Sequence, residues 1–148
     1  MTYNDLLRGR YSQTGQEYLV TAVTENHRRV FESLEAARSL IGTLREAEEA
    51  DRGRWLAFVV MPDHFHALLS LHHASLAEVM REVRGRSARR INRLLGRQGR
   101  LWQPGYHDRA LRTEDDRRAV ARYIVANPVR AGLVDRPGKY PHWDAAWL

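Results

Sequence analysis

Two pairs of residues in this sequence have side chains and spacings suited to chemistry. His64 and His66 stand two apart in an apolar run, so on a strand both imidazoles leave one face while Phe65 points to the other. Imidazole binds first-row divalent ions well, and such a pair is a bidentate clamp; a magnesium or manganese ion would add oxygen ligands or water to complete its shell. Tyr123 and Asn127 stand four apart, which on a helix puts a phenol and an amide on one face, where both would meet a single partner. Val120 and Ile124 occupy a neighbouring face suited to a core, which leaves Tyr123 free to look elsewhere. Each pair also has a plainer reading: partly buried strand histidines, and a packing tyrosine whose hydroxyl is tied up. His72 shares parity with His66 and would give a three-histidine zinc hydrolase site, although His72 and His73 are better read as loop residues.

The elements that must position these groups follow from periodicity and punctuation. Residues 17–23, rich in β-branched and aromatic types, read as a first strand. Residues 33–50 repeat apolar side chains at helical spacing behind Ser33 as N-cap. Two apolar runs, 54–61 and 63–71, are broken at Pro62-Asp63, which predicts adjacent antiparallel strands with a very tight connection; that hairpin carries the histidines. A long helix runs from Ser75 to near Gly96, with Gly85 weakening its middle. Residues 106–112 read as another strand, Thr113 as the cap of a last helix with Glu114, Asp115 and Asp116 in its first turn, and Pro128 as its stop. The order β-α-β-β-α-β plus a final helix predicts an α+β fold. Its form is a ferredoxin-like (RRM-like) antiparallel sheet covered by helices, with the tyrosine on the late helix, in one domain over residues 1–148.

Bulk properties narrow the partners. The 24 basic residues against 18 acidic ones give a charge of +6 and a pI near 10.3, which favours a polyanion. Residues 81–100 hold eight arginines against one acid, Glu82, whereas residues 32–51 hold six acids against Arg38 and Arg45. Of the basic residues only Lys139 is a lysine, and the planar guanidinium suits bidentate phosphate contacts. The arginine-rich helix also has a plain reading as a solvated face. The absence of cysteine excludes disulfides, thiolate zinc sites and a cysteine nucleophile. With no signal-like N-terminus and no apolar window of membrane-spanning length, the expected address is cytoplasmic and, in practice, with the nucleoid.

Three segments, VVMPDHFHALLS (59–70), LWQPGYHDRALR (101–112) and YIVANPVRAGLV (123–134), together resemble the REP-associated tyrosine transposases, single-tyrosine HUH relatives of the small insertion-sequence transposases. The resemblance covers nearly the whole chain, and its specificity lies in Met-Pro-Asp-His-Phe-His combined with Tyr-Ile-x-x-Asn-Pro-Val-Arg-Ala-Gly-Leu at this separation. It implies that His64 and His66 bind a catalytic divalent metal, magnesium or manganese, with Asn127 where relatives place a third polar ligand. It implies too that Tyr123 is the nucleophile, giving a 5′-phosphotyrosine and a free 3′-OH. The implied partner is single-stranded DNA carrying palindromic hairpins with an unpaired tetranucleotide at the foot. Arg81, Arg84, Arg86, Arg89, Arg90, Arg93 and Arg97 would then meet the hairpin backbone. Gly9-Arg10-Tyr11 matches the N-terminal segment implicated in reading the tetranucleotide, with Arg10 and Tyr11 as DNA contacts and Tyr11 stacking on an unpaired base. Trp102, Tyr106, Trp143 and Trp147 are read as packing aromatics that could also stack. The family contains monomers and homodimers, so the oligomeric state stays open. The main rival is a hairpin-binding protein that keeps the basic helix and sheet but has lost catalysis.

Overall fold

A computed structural model describes residues 15–112 and 114–147, and of residues 114–116 only the backbone. Arg10, Tyr11 and the Thr113 cap lie outside the described residues. Along the chain come β1 (Glu17–Val23), α1 (Leu34–Glu49), β2 (Gly53–Met61), β3 (His64–Leu71), α2 (Leu76–Leu95), β4 (His107–Ala110), α3 (Glu114–Val125), α4 (Asn127–Arg130) and β5 (Trp143–Ala145). The strands form one antiparallel sheet in the order β4-β1-β3-β2-β5. The fold is α+β, with the ferredoxin-like strand order extended by β5 at the outer edge of β2.

Local chemistry accounts for most boundaries. Ser33 and Ser75 cap α1 and α2, their hydroxyl oxygens accepting from the amides of Ala36 at 3.2 Å and Glu78 at 3.1 Å. Gly96, at φ 63°, ends α2 in the left-handed conformation that glycine adopts without a Cβ clash. The helix runs unbroken through Gly85. The β2–β3 hairpin turns in two residues, pairing Met61 with His64, and Asp63 belongs to the turn rather than to the expected strand. That turn is pinned from outside: the Pro62 carbonyl accepts from the Phe31 amide at 2.9 Å. The Asp63 carbonyl accepts from the Thr24 amide at 2.9 Å and the Thr24 hydroxyl at 3.0 Å.

Strand parity sorts side chains between two packed faces. Tyr18, Val20, Ala22, Phe65, Ala67 and Leu69 go to the face under α1 and α2. Leu56, Ala57, Val59, Met61 and Leu68 go to the opposite face, packed with Val120, Ala121, Ile124 and Val125 of α3. A register shift between Trp55 and Ala57 places the consecutive Leu56 and Ala57 in the same cluster, as a bulge does. Arg117 pairs with Glu17, its Nε donating to Oε1 at 2.8 Å, which ties the start of α3 to β1.

Four further expectations are corrected. The strand read over 106–112 is only four residues long, His107–Ala110, and Tyr106 just before it lies beside the Arg84 guanidinium, 5.1 Å from ring centroid to guanidinium carbon. Pro128 does not stop the last helix but lies buried in the first turn of α4, where its missing amide costs least. α3 ends earlier, at Val125, so Tyr123 and Asn127 sit on successive helices rather than one. The fourth correction is β5, which the expected element order lacks; its three residues pair with Ala57, Phe58 and Val59.

Candidate active site

His64 and His66 project from β3 on the parity of Leu68, that is, toward the face that α3 covers. Their ring centroids are 4.7 Å apart with planes at 78°. Each Nδ1 is already engaged. The His64 Nδ1 lies 2.7 Å from Asp63 Oδ1, and the His66 Nδ1 lies 2.7 Å from the hydroxyl of Thr21, its cross-strand partner on β1. An Nδ1–H donated to an oxygen fixes the tautomer whose Nε2 carries a free lone pair, the form a metal-binding histidine needs. Asp63 also receives His27, Nδ1 to Oδ2 at 3.3 Å, brought there by a turn with left-handed Asn26 and His27, φ 58° and 52°. Burial pushes the Asp63 carboxyl up, but the bond and charge of His64, with the bond from His27, hold it below the usual carboxylate range. Burial, His64 and the Arg130 guanidinium together push His66 down to about 4, so this imidazole is neutral at physiological pH.

Tyr123 lies near the end of α3 with 56% of its surface exposed. Val120 and Ile124 point into the core, as their helical positions require. The Arg130 guanidinium carbon stacks 3.6 Å from the Tyr123 ring centroid, and Arg130 Nη2 donates to the Tyr123 carbonyl at 2.6 Å. A carbonyl left over at the helix end is thereby satisfied. The Arg130 charge also disfavours protonation of His66, though less than burial and His64 do. Tyr123 is the most exposed of the described tyrosines. Tyr18 is fully buried, Tyr106 is half-buried beside Arg84, and the Tyr140 hydroxyl donates to the Val60 carbonyl at 2.6 Å, with burial pushing it up to about 12. Asn127 is half-buried at the start of α4.

His72 is not part of this cluster. It follows β3 at its far end, roughly 20 Å from His66 at about 3.3 Å per residue. There it bonds Asp51, Nδ1 to Oδ1 at 2.8 Å, and His73 lies 3.2 Å from the same carboxylate. Among the described residues no group of three or more His, Cys, Asp or Glu is placed to hold an ion, so the three-histidine zinc arrangement is not formed. The two strand imidazoles, 4.7 Å apart between ring centroids, form a donor pair that suits a divalent ion whose remaining ligands are oxygens.

The arginines divide. α2 packs on the sheet face opposite Tyr123. Arg90 donates to Glu46 at 2.8 Å, Arg86 lies 3.7 Å from the same carboxylate, Arg84 donates to the Gly105 carbonyl at 2.8 Å, and Arg97 to Asn92 at 2.7 Å. Arg81, Arg89 and Arg93 are exposed and without a partner among the described residues. The acidic segment 32–51 thus lies beside the basic one, a pairing that only the packing of α1 on α2 brings about. Trp102 is a core residue, its Nε1 donating to Ser87 at 3.0 Å, and Trp143 donates to the Pro137 carbonyl at 2.8 Å. Sequence reasoning misses Asp63, Thr21 and Arg130 as site residues. Asp63 and Arg130 stand within the quoted motifs, whereas Thr21 enters only through strand register.

Fold and cluster define the class: a ferredoxin-like sheet that presents a histidine pair and a helix-borne tyrosine on one face. The chain belongs to the IS200-like transposase family, whose model matches residues 12–127. It is 29% identical over 96 residues to a REP-associated tyrosine transposase of Escherichia coli K12, a match covering 61% of this chain. The match spans about half, 55%, of that relative's length. In structure it resembles a REP-associated tyrosine transposase bound to a REP hairpin, with TM-score 0.76, 23% identity, and coverage of 90% of this chain and 78% of that one. It also resembles a candidate transposase from Deinococcus radiodurans R1, with TM-score 0.56, 26% identity, and coverage of 76% and 91%.

Proposed function

We propose that the protein is a metal-dependent single-stranded DNA endonuclease and strand transferase that acts on palindromic, REP-like hairpins through a 5′-phosphotyrosine. The observation that carries this reading is that His64 and His66 project toward the sheet face covered by α3, the helix on which Tyr123 stands exposed. His64 and His66 would hold a magnesium or manganese ion through Nε2, with Asn127 as a further polar ligand. When bound, the ion supplies Lewis-acid polarisation of the scissile phosphate.

The remaining chemistry belongs to the chain. The Tyr123 oxygen attacks phosphorus; the new Tyr O–P bond forms as the P–O3′ bond breaks, and the phenolic proton leaves to solvent while the departing 3′ oxygen takes one up. The 5′ phosphate stays on the tyrosine, and attack by a 3′-OH reverses the step without ATP. Arg130, stacked on the ring and hydrogen-bonded to the backbone behind it, orients the phenol and supplies positive charge beside a phosphodiester arriving there. Thr21 and Asp63 keep the two imidazoles in the ligating tautomer. Similarity to a transposase bound to a REP hairpin supports hairpin DNA as partner, and Arg81, Arg89 and Arg93 are the α2 residues free to meet its phosphates. Such a substrate places the protein with the nucleoid; no helix among the described residues is long and apolar enough to cross a membrane.

A labelled hairpin oligonucleotide with unpaired flanks, incubated with magnesium or manganese, should yield a denaturant-resistant protein–DNA adduct. Tyr123→Phe should abolish it, and His64→Ala or His66→Ala should strongly weaken it. Cleavage without an adduct, or an adduct that survives Tyr123→Phe, removes the nucleophile assignment.

A further inference from the structure

Between α3 and β5 lies a groove of about 370 Å³ lined by Arg118, Ala121, Arg122, Val125, Ala145 and Trp147. Ala121, Val125 and Ala145 are buried and make an apolar floor. Trp147, 36% exposed, contributes an indole, although most large aromatic side chains of the chain lie in its cores. Arg118 and Arg122 are exposed, have no partner among the described residues and, four apart on α3, share one face of that helix. Tyr123 follows Arg122 directly, about 100° further round at 3.6 residues per turn. The groove therefore runs along the tyrosine-bearing helix on its other flank.

Its parts suit one kind of ligand. A flat apolar floor with an indole offers stacking to an aromatic ring, and two free guanidiniums within one helical turn offer bidentate hydrogen bonds to an anion. The volume lies at the small end of the ~300 to 1,000 Å³ typical of small-ligand sites. An acidic peptide would leave the flat surface unused, and an apolar peptide would leave two cations desolvated without a counter-charge. A ring joined to a phosphate uses both.

We propose that this groove binds one unpaired nucleotide of the DNA strand, the base stacked on Trp147 and the phosphate held by Arg118 and Arg122. The proposal rests on the reading of the protein as one that binds single-stranded hairpin DNA, and not on the nucleophile itself. It adds a second point of strand contact on the same helix, on the flank away from the histidines. The arginines of α2 cannot supply this contact, because they lie across the sheet.

The test compares one hairpin carrying an unpaired flank with the same hairpin trimmed flush, by fluorescence anisotropy on the full chain. Trp147→Ala should weaken binding of the flanked hairpin about tenfold, the scale of one base stacked on an aromatic ring, and leave the flush hairpin unchanged. Arg118→Gln/Arg122→Gln should act on the same hairpin and lower its log–log salt slope by up to ~0.7 per lost phosphate contact. Trp147→Phe, which keeps a stacking surface, should retain most of the affinity. Equal losses on both hairpins, or none on either, overturn the proposal. A deoxynucleoside monophosphate that binds as tightly as the flanked hairpin would make this a free-nucleotide site and also overturn it. Adduct formation by the wild type separates the two claims: an adduct with no flank-dependent loss ends the groove assignment alone. A flank-dependent loss without any adduct ends the Tyr123 reading and leaves the groove standing.

Discussion

The two faces of the sheet carry different burdens, although the same strands build both. On one, Tyr18, Val20, Ala22, Phe65, Ala67 and Leu69 lie fully buried beneath α1 and α2, helices of 16 and 20 residues. On the other, the alternate positions of β1 and β3 are Thr21, His64, His66 and Leu68, and the covering helix α3 has only 12 residues. Apolar packing secures this second face around Leu68, Val120 and Ile124, while half-buried polar side chains occupy the hairpin end of β3. Strand periodicity of two thus separates a stability face from a reactive face within a single strand. The polar residues are tolerable there because each imidazole has an oxygen partner, Asp63 or Thr21.

This division can be broken from either side. Leu69→Ala and Ile124→Ala, both at fully buried positions, should each destabilise the fold by about 2–5 kcal/mol in denaturant titrations. Only Ile124→Ala should also slow adduct formation by the folded fraction, since it loosens the helix that carries Tyr123. Equal slowing by both would erase the distinction between the faces. A smaller effect is expected from Asp63→Asn, which removes the carboxylate that orients His64 without touching either core. Manganese affinity, read by calorimetry, should fall roughly 10- to 100-fold while the melting temperature changes little. An unchanged affinity would mean that His64 needs no such support.

The smallest effect is a pH dependence. Folded His66 stays neutral down to about 4, whereas in the unfolded chain an imidazole takes up its proton near 6.5. Between those values the unfolded state holds more protons, so stability should fall as the pH drops through that window. His66→Gln should flatten part of this slope. His142, which burial and, less strongly, Arg38 also push down, contributes a slope of the same sign. Urea midpoints at several pH values would reveal the difference, and parallel curves for wild type and variant would refute it.

Much of this arrangement is legible in the sequence, because its determinants are local. The Ser33 cap, the start of the long helix at Ser75, the two-residue break at Pro62-Asp63 and the parity of His64 with His66 are properties of neighbouring residues, and they match the structure nearly residue for residue. The exposure of Tyr123 also follows from the helical positions of Val120 and Ile124. What escapes the sequence depends on distant partners. Glu46 reaches Arg86 and Arg90 only because α1 packs on α2, and Thr21 reaches His66 only through the register of β1 on β3. β5 is too short for alternation to announce, and its pairing with β2 supplies what its own residues do not. Spacing of i, i+4 puts Asn127 on the tyrosine's helix because such spacing is indifferent to a break, and here the break falls between Val125 and Asn127.

The central claim is that one phenol, carried by the helix that covers the face of a strand-borne imidazole pair, becomes bonded to DNA. The most direct measurement is mass spectrometry of the trapped adduct after nuclease and trypsin digestion. Cleavage after Arg122 and Arg130 releases residues 123–130, and the account predicts a residual 5′-phosphodeoxynucleotide on Tyr123 within that peptide. The modification found instead on a peptide carrying Tyr106 or Tyr140, or cleaved DNA with every tyrosine unmodified, would contradict it.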